Sequence, residues 1–476
     1  MDLVPKPGQV IAAAQNLTHQ ALYGGLADLR PMPRSLIAEG PRRDVYHYRP
    51  TPGTVPDGDP ILLVTPLAAP PICFDLRRGC SLVEHLVRAG HPTYVVEYGE
   101  VSFKDRNLGI EHWVDTVVPT AIQEVSDHAG GRPVHVVGWS LGGIFALLTA
   151  ADRPDLPLAS VVSLGAPFDV SEVPIVAPLR PLLTLSDGLP EGWGAVTAAY
   201  RLLGGAPKPV VGWAFNLASV QKLVTKPLAI ATHLDDADYL AQLEAVDRFR
   251  SQMIAYPGRT FGQLYHRFVK RNALAGGSFR LGDRSIDLAD LSAPVLVFAG
   301  ATDGIAPVAS VRAVVPLLAS AREVRFEIVP GGHLGMLTGR AARTGTWAVL
   351  DAWVREWASR LEPAAKAPAA STRPTAKAAG KKAAAKKTAG KKAASRKTAG
   401  KKAAAKKTAG KKAAAKKTAT KAAAKTATPK KATAKSTRTP TKRTSTAKKA
   451  PAADAPAIGA NPRRRYGSAS SRSLSG

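Results

Sequence analysis

Three side chains in this sequence have the types and the order needed for acyl transfer through an oxygen nucleophile: Ser140, Asp303 and His333. A serine hydroxyl is a weak nucleophile near neutral pH. It needs an imidazole to take its proton and a carboxylate to hold that imidazole in the correct tautomer. Ser140 stands in Gly138-Trp139-Ser140-Leu141-Gly142, directly after the apolar run Val134-His135-Val136-Val137 and before Ile144-Phe145-Ala146-Leu147-Leu148. That pattern predicts strand, tight turn, helix, with the serine at the turn. Flanking glycines allow the crowded backbone and lift the hydroxyl above a sheet edge.

The other two residues sit just past later strand-like runs. Val295-Leu296-Val297-Phe298 leads into Ala299-Gly300-Ala301-Thr302-Asp303-Gly304, and Val324 to Val329 leads into Pro330-Gly331-Gly332-His333. Each residue also has a plainer reading. Ser140 could be a small buried turn residue, Asp303 an Asx-turn before Gly304, and His333 one structural histidine among the chain's 10. Asp169 is a rival acid, and His135, inside the strand before the turn, reads as packing. Acyl transfer also needs donors for the developing oxyanion. The N–H of Leu141 is one candidate. The second is Leu67 or Ala68, in the loop after Ile61-Leu62-Leu63-Val64; Pro66 has no N–H to give.

These residues require elements that bring their loops to one edge. Short β-rich runs at Ile61–Val64, Thr93–Val96, Val134–Val137, Ser160–Leu164, Val295–Phe298 and Val324–Val329 alternate with helical patterns such as Ser81–Ala89 and Ile110–His128. Nearly continuous apolar strands alternating with helices predict an α/β fold, a mostly parallel sheet covered by helices. Residues 1–54 read as a helical, peripheral segment with an early strand at Val45–Tyr48, and 55–362 as the main domain. Between Asp169 and Ala293 there are amphipathic helices and no clear core strand, which predicts a helical cap at about 169–292 over the catalytic edge.

The net charge of +30 over 476 residues is concentrated at one end. Residues 363–476 hold 33 Lys and Arg against one acid, Asp454, giving +32; the remainder holds 33 against 35, giving −2. A ten-residue unit, Lys381-Lys382-Ala383-Ala384-Ala385-Lys386-Lys387-Thr388-Ala389-Gly390, recurs at 391, 401 and 411. Such a tail cannot bury a core and is expected to be disordered when free. Its lysines would release counterions from DNA or another polyanion with little sequence preference. Cys73 and Cys80 fit no zinc or redox spacing, and two isolated cysteines in a large domain suit a reducing compartment. With no secretory pattern at the N-terminus and no apolar run fit to span a membrane, a cytoplasmic location is expected.

The main body, over roughly 55 to 360, resembles the polyhydroxyalkanoate synthase branch of the α/β-hydrolases and its lipase-like actinobacterial relatives. The likeness lies in Ile61 to Pro66 with Phe74-Asp75-Leu76, in Ser81 to Leu86 with Gly90-His91, and in the Gly138 to Gly143 turn. Further along it lies in Arg271-Asn272, Leu281 to Leu288, Ala293 to Pro307 and Gly331-Gly332-His333. It implies the α/β-hydrolase fold and carries Asp303 and His333 over as partners of the nucleophile. In that fold the chain order is nucleophile, acid, histidine. Those synthases are expected to have cysteine where this chain has Ser140, and the polar Asn and Lys expected near Pro70-Pro71 are missing. The tail resembles those of bacterial histone-like proteins and of proteins that tether lipid or polyester inclusions to the nucleoid.

The resulting expectation is a serine-dependent acyl hydrolase or acyltransferase on lipid or polyester-like esters and thioesters. No cofactor is called for, and acyl-coenzyme A would enter as substrate. The tail would hold the enzyme to DNA or another polyanion, giving nucleoid or inclusion association. A polyhydroxyalkanoate synthase-like polymerase and a non-catalytic nucleoid or inclusion tether are the alternatives.

Overall fold

Each of the central strands is apolar on both faces, so each needs cover on both. The computed structural model describes residues 6–174, 176–177, 195–217 and 220–361. The chain divides into a unit spanning Met1–Thr375 and a second, Ala376–Gly476. The basic tail and its repeats lie outside the described residues.

The main sheet has eight strands: β1 (Arg34–Ala38), β2 (Asp44–Tyr48), β3 (Ile61–Val64), β4 (Thr93–Glu97), β5 (Val134–Trp139), β6 (Leu158–Leu164), β11 (Val295–Gly300) and β12 (Val324–Val329). Their order across the sheet is β1-β2-β4-β3-β5-β6-β11-β12. From β4 to β12 every neighbouring pair is parallel, whereas β1–β2 and β2–β4 are antiparallel. The period-two alternation of a strand sorts its side chains between two cores. Leu62, Val64, Val136 and Val297 face one cluster with Trp113, Phe145 and Ile122. Ile61, Leu63, Val137 and Phe298 face the other, with Phe74, Leu82 and Trp353.

Helix α1 (Pro7–Tyr23) buries no residue and is peripheral, as the composition implies. The early strand expected at Val45–Tyr48 is present as β2, whereas β1 before it departs from the expectation of a helical segment. Residues 34–48 add two antiparallel strands to the sheet, and Val45 and Tyr48 are buried. The alternation in Arg34–Ala38 is too short to register as a strand pattern, and pairing with β2 decides it. Helix α2 (Leu82–Arg88) is capped by Ser81, whose hydroxyl accepts from Glu84 N–H at 3.0 Å. Helix α3 (Val118–His128) and helix α4 (Leu141–Asp152) cover the opposite face.

Between β6 and β11 the main sheet takes no strand. The described helices there are Ala195–Leu203, Lys208–Leu217, Val220–Ala231, Ala237–Ser251 and Gly258–Gln263. A two-residue strand pair, β7 (Gly205–Ala206) and β8 (Tyr256–Pro257), and a hairpin, β9 (Ser278–Leu281) and β10 (Arg284–Asp287), join them. The hairpin is absent from the helical reading of this segment. Its turn is Gly282-Asp283, with Gly282 at φ 60°, a conformation suited to tight hairpins. Leu281, Ile286 and Leu288 enter the core beside α4.

Both cysteines are buried free thiols. Cys80 Sγ donates to Thr338 O at 2.9 Å. Burial pushes the Cys73 thiol well above its usual range.

His135 is packing, as expected: it is fully buried, with Nδ1 2.7 Å from Ser160 Oγ. Burial pulls its pKa down to about 3. Burial also lowers His91, His85, His47 and His112. Each takes a proton more readily unfolded than folded, so acid favours unfolding. The stability they supply is present above about pH 6.5 and falls, for His135, by roughly 1.4 kcal/mol per pH unit on the way toward pH 3. Thermal melts between pH 7.5 and 5 should show a falling Tm, and His135→Gln should flatten part of that slope.

Candidate active site

Because β5, β6, β11 and β12 are consecutive and parallel, the loops after them emerge at one edge of the sheet. Ser140 follows β5, Asp303 follows β11 and His333 follows β12. This is where ligands sit in open α/β sheets.

The turn at Ser140 is enforced by packing. A Cβ on Gly138 would lie 2.4 Å from Gly142 O, and one on Gly142 would lie 2.3 Å from Val64 O. Only glycines let β5 turn into α4 while the loop after β3 passes over the helix start. Ser140 itself has φ 54° and ψ −121°, a left-handed conformation that costs a residue with a Cβ about 1–3 kcal/mol. Strain held at one residue relieves on substitution by glycine, less the extra chain entropy glycine carries when unfolded. Ser140→Gly should therefore be more stable than Ser140→Ala by about 1 kcal/mol, read as a higher Tm.

Asp303 and His333 meet directly: Nδ1 of His333 lies 2.8 Å from Oδ2 of Asp303, and both residues are buried. The other carboxylate oxygen accepts the N–H groups of Ile305 at 2.8 Å and Ala306 at 2.9 Å. Asp303 thus makes the Asx-type turn and holds the imidazole, one oxygen to each task. A Cβ on Gly300 would lie 2.7 Å from Gly331 O, so the loops after β11 and β12 pack without side chains between them. Gly165, at the end of β6, leaves the space beside the ring: a Cβ there would lie 3.4 Å from His333 Nδ1.

The backbone of His333 is tied to the serine turn. Its carbonyl accepts the indole N–H of Trp139 at 3.0 Å, and the two rings lie 5.1 Å apart. Sequence reasoning missed Trp139. Its position beside the serine was visible, but its reach to a residue 194 positions away was not. No hydrogen bond joins the Ser140 hydroxyl to the imidazole among the described residues, so the structure unites Asp303 with His333 and places Ser140 on the same edge. Asp169 is committed elsewhere. It accepts from Ser171 N–H at 2.9 Å and from Asn272 Nδ2 at 2.7 Å.

The loop after β3 lies against this edge. Ala69 N–H is bonded to Pro66 O at 3.2 Å, whereas the N–H groups of Leu67 and Ala68 have no acceptor among the described residues. Leu141, the first residue of α4, has an N–H of the kind that helix starts leave unpaired. Ala68 O accepts from Ile254 N–H at 2.7 Å, and Phe249 lies 6.1 Å from Trp139. The stretch Ala237–Ser251 and its continuation therefore wall the edge. Among the described residues, no group of three His, Cys, Asp or Glu side chains forms a metal site, and no helix is long and apolar enough to cross a membrane.

Known proteins resemble the chain on this frame. Residues 60–340 match the model of the alpha/beta hydrolase fold family. The chain is 22% identical over 360 residues to the poly(3-hydroxyalkanoate) polymerase subunit PhaC of Thiocystis violacea, covering 75% of this chain and 95% of that protein. It is 26% identical over 320 residues to the PhaC subunit of Synechocystis sp., covering 65% and 81%. A carboxyl esterase from Bacillus coagulans aligns in structure with 15% identity and a TM-score of 0.43, over 69% of this chain and 99% of the esterase. With nucleophile turn, sheet order and matched span in agreement, the chain belongs to the α/β-hydrolase fold family, as an enzyme similar to poly(3-hydroxyalkanoate) polymerase subunits.

Proposed function

We propose that the protein is a serine-dependent acyl hydrolase or acyltransferase acting on lipid or polyester-like esters or thioesters. The observation that carries this reading is the 2.8 Å bond between Asp303 and His333 on the sheet edge that also holds the strained Ser140 turn. Ser140 Oγ attacks the acyl carbonyl as His333 Nε2 takes its proton, and Asp303 holds the Nδ1–H and stabilises the imidazolium. The hydroxyl–imidazole hydrogen bond that this transfer needs forms when substrate binds. The N–H of Leu141, with Leu67 or Ala68, receives the oxyanion; each such donor is worth about 3 kcal/mol in the transition state. The leaving alcohol or thiol takes the proton back from His333. Water, or a second acceptor, then clears the acyl-serine by the reverse proton path.

Serine in place of the cysteine expected of the resembled synthases favours hydrolysis or simple transfer over chain growth. Polymerisation remains an outcome of the test. Purified protein is assayed on a panel of acyl esters and acyl-coenzyme A thioesters, hydroxyacyl ones included, with a fluorophosphonate serine probe alongside. Free acid or transferred acyl product, with labelling lost in Ser140→Ala, is the expected result. Polymer from hydroxyacyl substrates would favour a polymerase. Unlabelled, inactive protein that retards DNA would favour a tether.

The tail supports a second, separable function. Its +32 charge would bind DNA or another polyanion through counterion release. Retardation of DNA should weaken steeply between 50 and 200 mM salt, by roughly 10³-fold or more if six or more phosphates are contacted. Affinity that hardly changes with salt would contradict this.

A further inference from the structure

A cavity lined by four arginines lies away from Ser140. It measures about 450 Å³ and is walled by Arg106, Arg201, Arg259 and Arg267, with Tyr200 and Gln263. Arg259 pairs with Glu111 at 2.8 Å. The other three have no carboxylate partner among the described residues. Arg106 donates to Phe103 O at 3.2 Å, Arg267 donates to Arg280 O at 2.5 Å, and Arg201 is exposed. Guanidinium groups gathered around one cavity repel one another unless an anion enters, and their planar forks match phosphate oxygens.

An apolar cavity of about 350 Å³ adjoins it, sharing Gly204, with Phe103, Leu203, Pro207, Pro209 and Tyr256 among its walls. Gly204 is needed at the junction: its φ is 71°, and a Cβ would lie 2.3 Å from the Phe103 ring. Of the apolar cavity's wall residues, Leu203 and Phe103 are each 56% exposed, and Leu202, the adjacent residue on the helix, is 82% exposed. Isolated exposed leucines are ordinary, but three large apolar side chains beside an arginine-lined cavity form a two-part surface.

We infer that this face docks on an anionic phospholipid surface, with a lipid phosphate in the arginine cavity and an acyl chain in the apolar one. Phosphate and acyl chain adjoin in a phospholipid as the two cavities adjoin here. The two leucines and Phe103 would be covered by neighbouring lipids, which a soluble phosphate could not do. The inference needs no step of the Ser140 reaction, and Ser140→Ala should dock as the parent does.

The test follows hydrogen–deuterium exchange over 195–206 and 256–268 in the full chain. The probe is dihexanoylphosphatidylglycerol, kept below its micellar concentration. At about four times Kd, exchange in both segments should slow about fivefold. Arg201→Gln should remove most of that protection, and Leu202→Ser should reduce it. Both side chains are exposed, so both variants should keep the parent Tm. The basic tail is common to all these proteins and cannot mimic protection in these two segments. Three results would overturn the inference: no protection, equal protection by dihexanoylphosphatidylcholine, or equal protection by glycerol 3-phosphate. The last would make the ligand a soluble phosphate.

Discussion

Asp303→Asn is expected to lower kcat on acyl esters by about 10⁴-fold while leaving the fold in place. Oδ1 of Asp303 accepts two backbone N–H groups, and an asparagine oxygen can keep both. The amide nitrogen then faces His333 Nδ1 across 2.8 Å and can only donate. The imidazole must accept at Nδ1 and so carries its proton on Nε2, the atom that has to receive the proton of Ser140. The base is present in the wrong tautomer. KM should change little, because no substrate contact is lost, and the Tm should stay close to the parent's. Steady-state kinetics with a melting curve checks both parts. An equal fall in stability and activity would point to a structural role for Asp303 instead.

The second large effect is on folding. Gly142→Ala should cost about 3 kcal/mol or more and yield little soluble protein. Its Cβ would lie 2.3 Å from Val64 O and 2.9 Å from both atoms of the Thr65 carbonyl group. These are backbone atoms of β3 and of the loop that carries Leu67 and Ala68. They cannot rotate away as a side chain can, so the helix start and the loop must separate. Gly212→Ala is the matched control, since a Cβ there meets nothing within 4 Å and the residue is helical. It should be neutral or stabilising by up to about 1 kcal/mol. Expression yield and urea unfolding of the two variants make the comparison. Equal stability would mean that the turn tolerates a wider approach than its geometry implies.

Much of the sheet was legible because its strands are short apolar runs with helical patterns between them. Ile61–Val64 and Val324–Val329 match β3 and β12 residue for residue, and the other four parallel strands lie within a few residues of their apolar cores. Edge strand β1 was not. Arg34–Ala38 has only half-buried or exposed positions, so no periodic signal marks it. The β9–β10 hairpin was lost inside a long segment read as helical, although its Gly282-Asp283 turn lay in the sequence. Of the candidate site, Ser140, Asp303 and His333 were picked out by type, order and position after strands, and the structure joins Asp303 to His333.

The sequence by itself determined the candidate side chains at the strand ends, the parallel character of the sheet and the separation of a near-neutral body from a tail of +32. All three follow from local pattern: periodicity, turn chemistry and composition. Tertiary structure alone decided which acid meets the histidine, because Asp169 and Asp303 both follow strands and only Asp303 is hydrogen-bonded to His333. It also decided that Trp139 holds the His333 backbone and that arginines from 106, 201, 259 and 267 line one cavity. Contacts between residues so far apart in the chain depend on how the loops at the sheet edge and the helices between β6 and β11 close together. No local pattern records that closure.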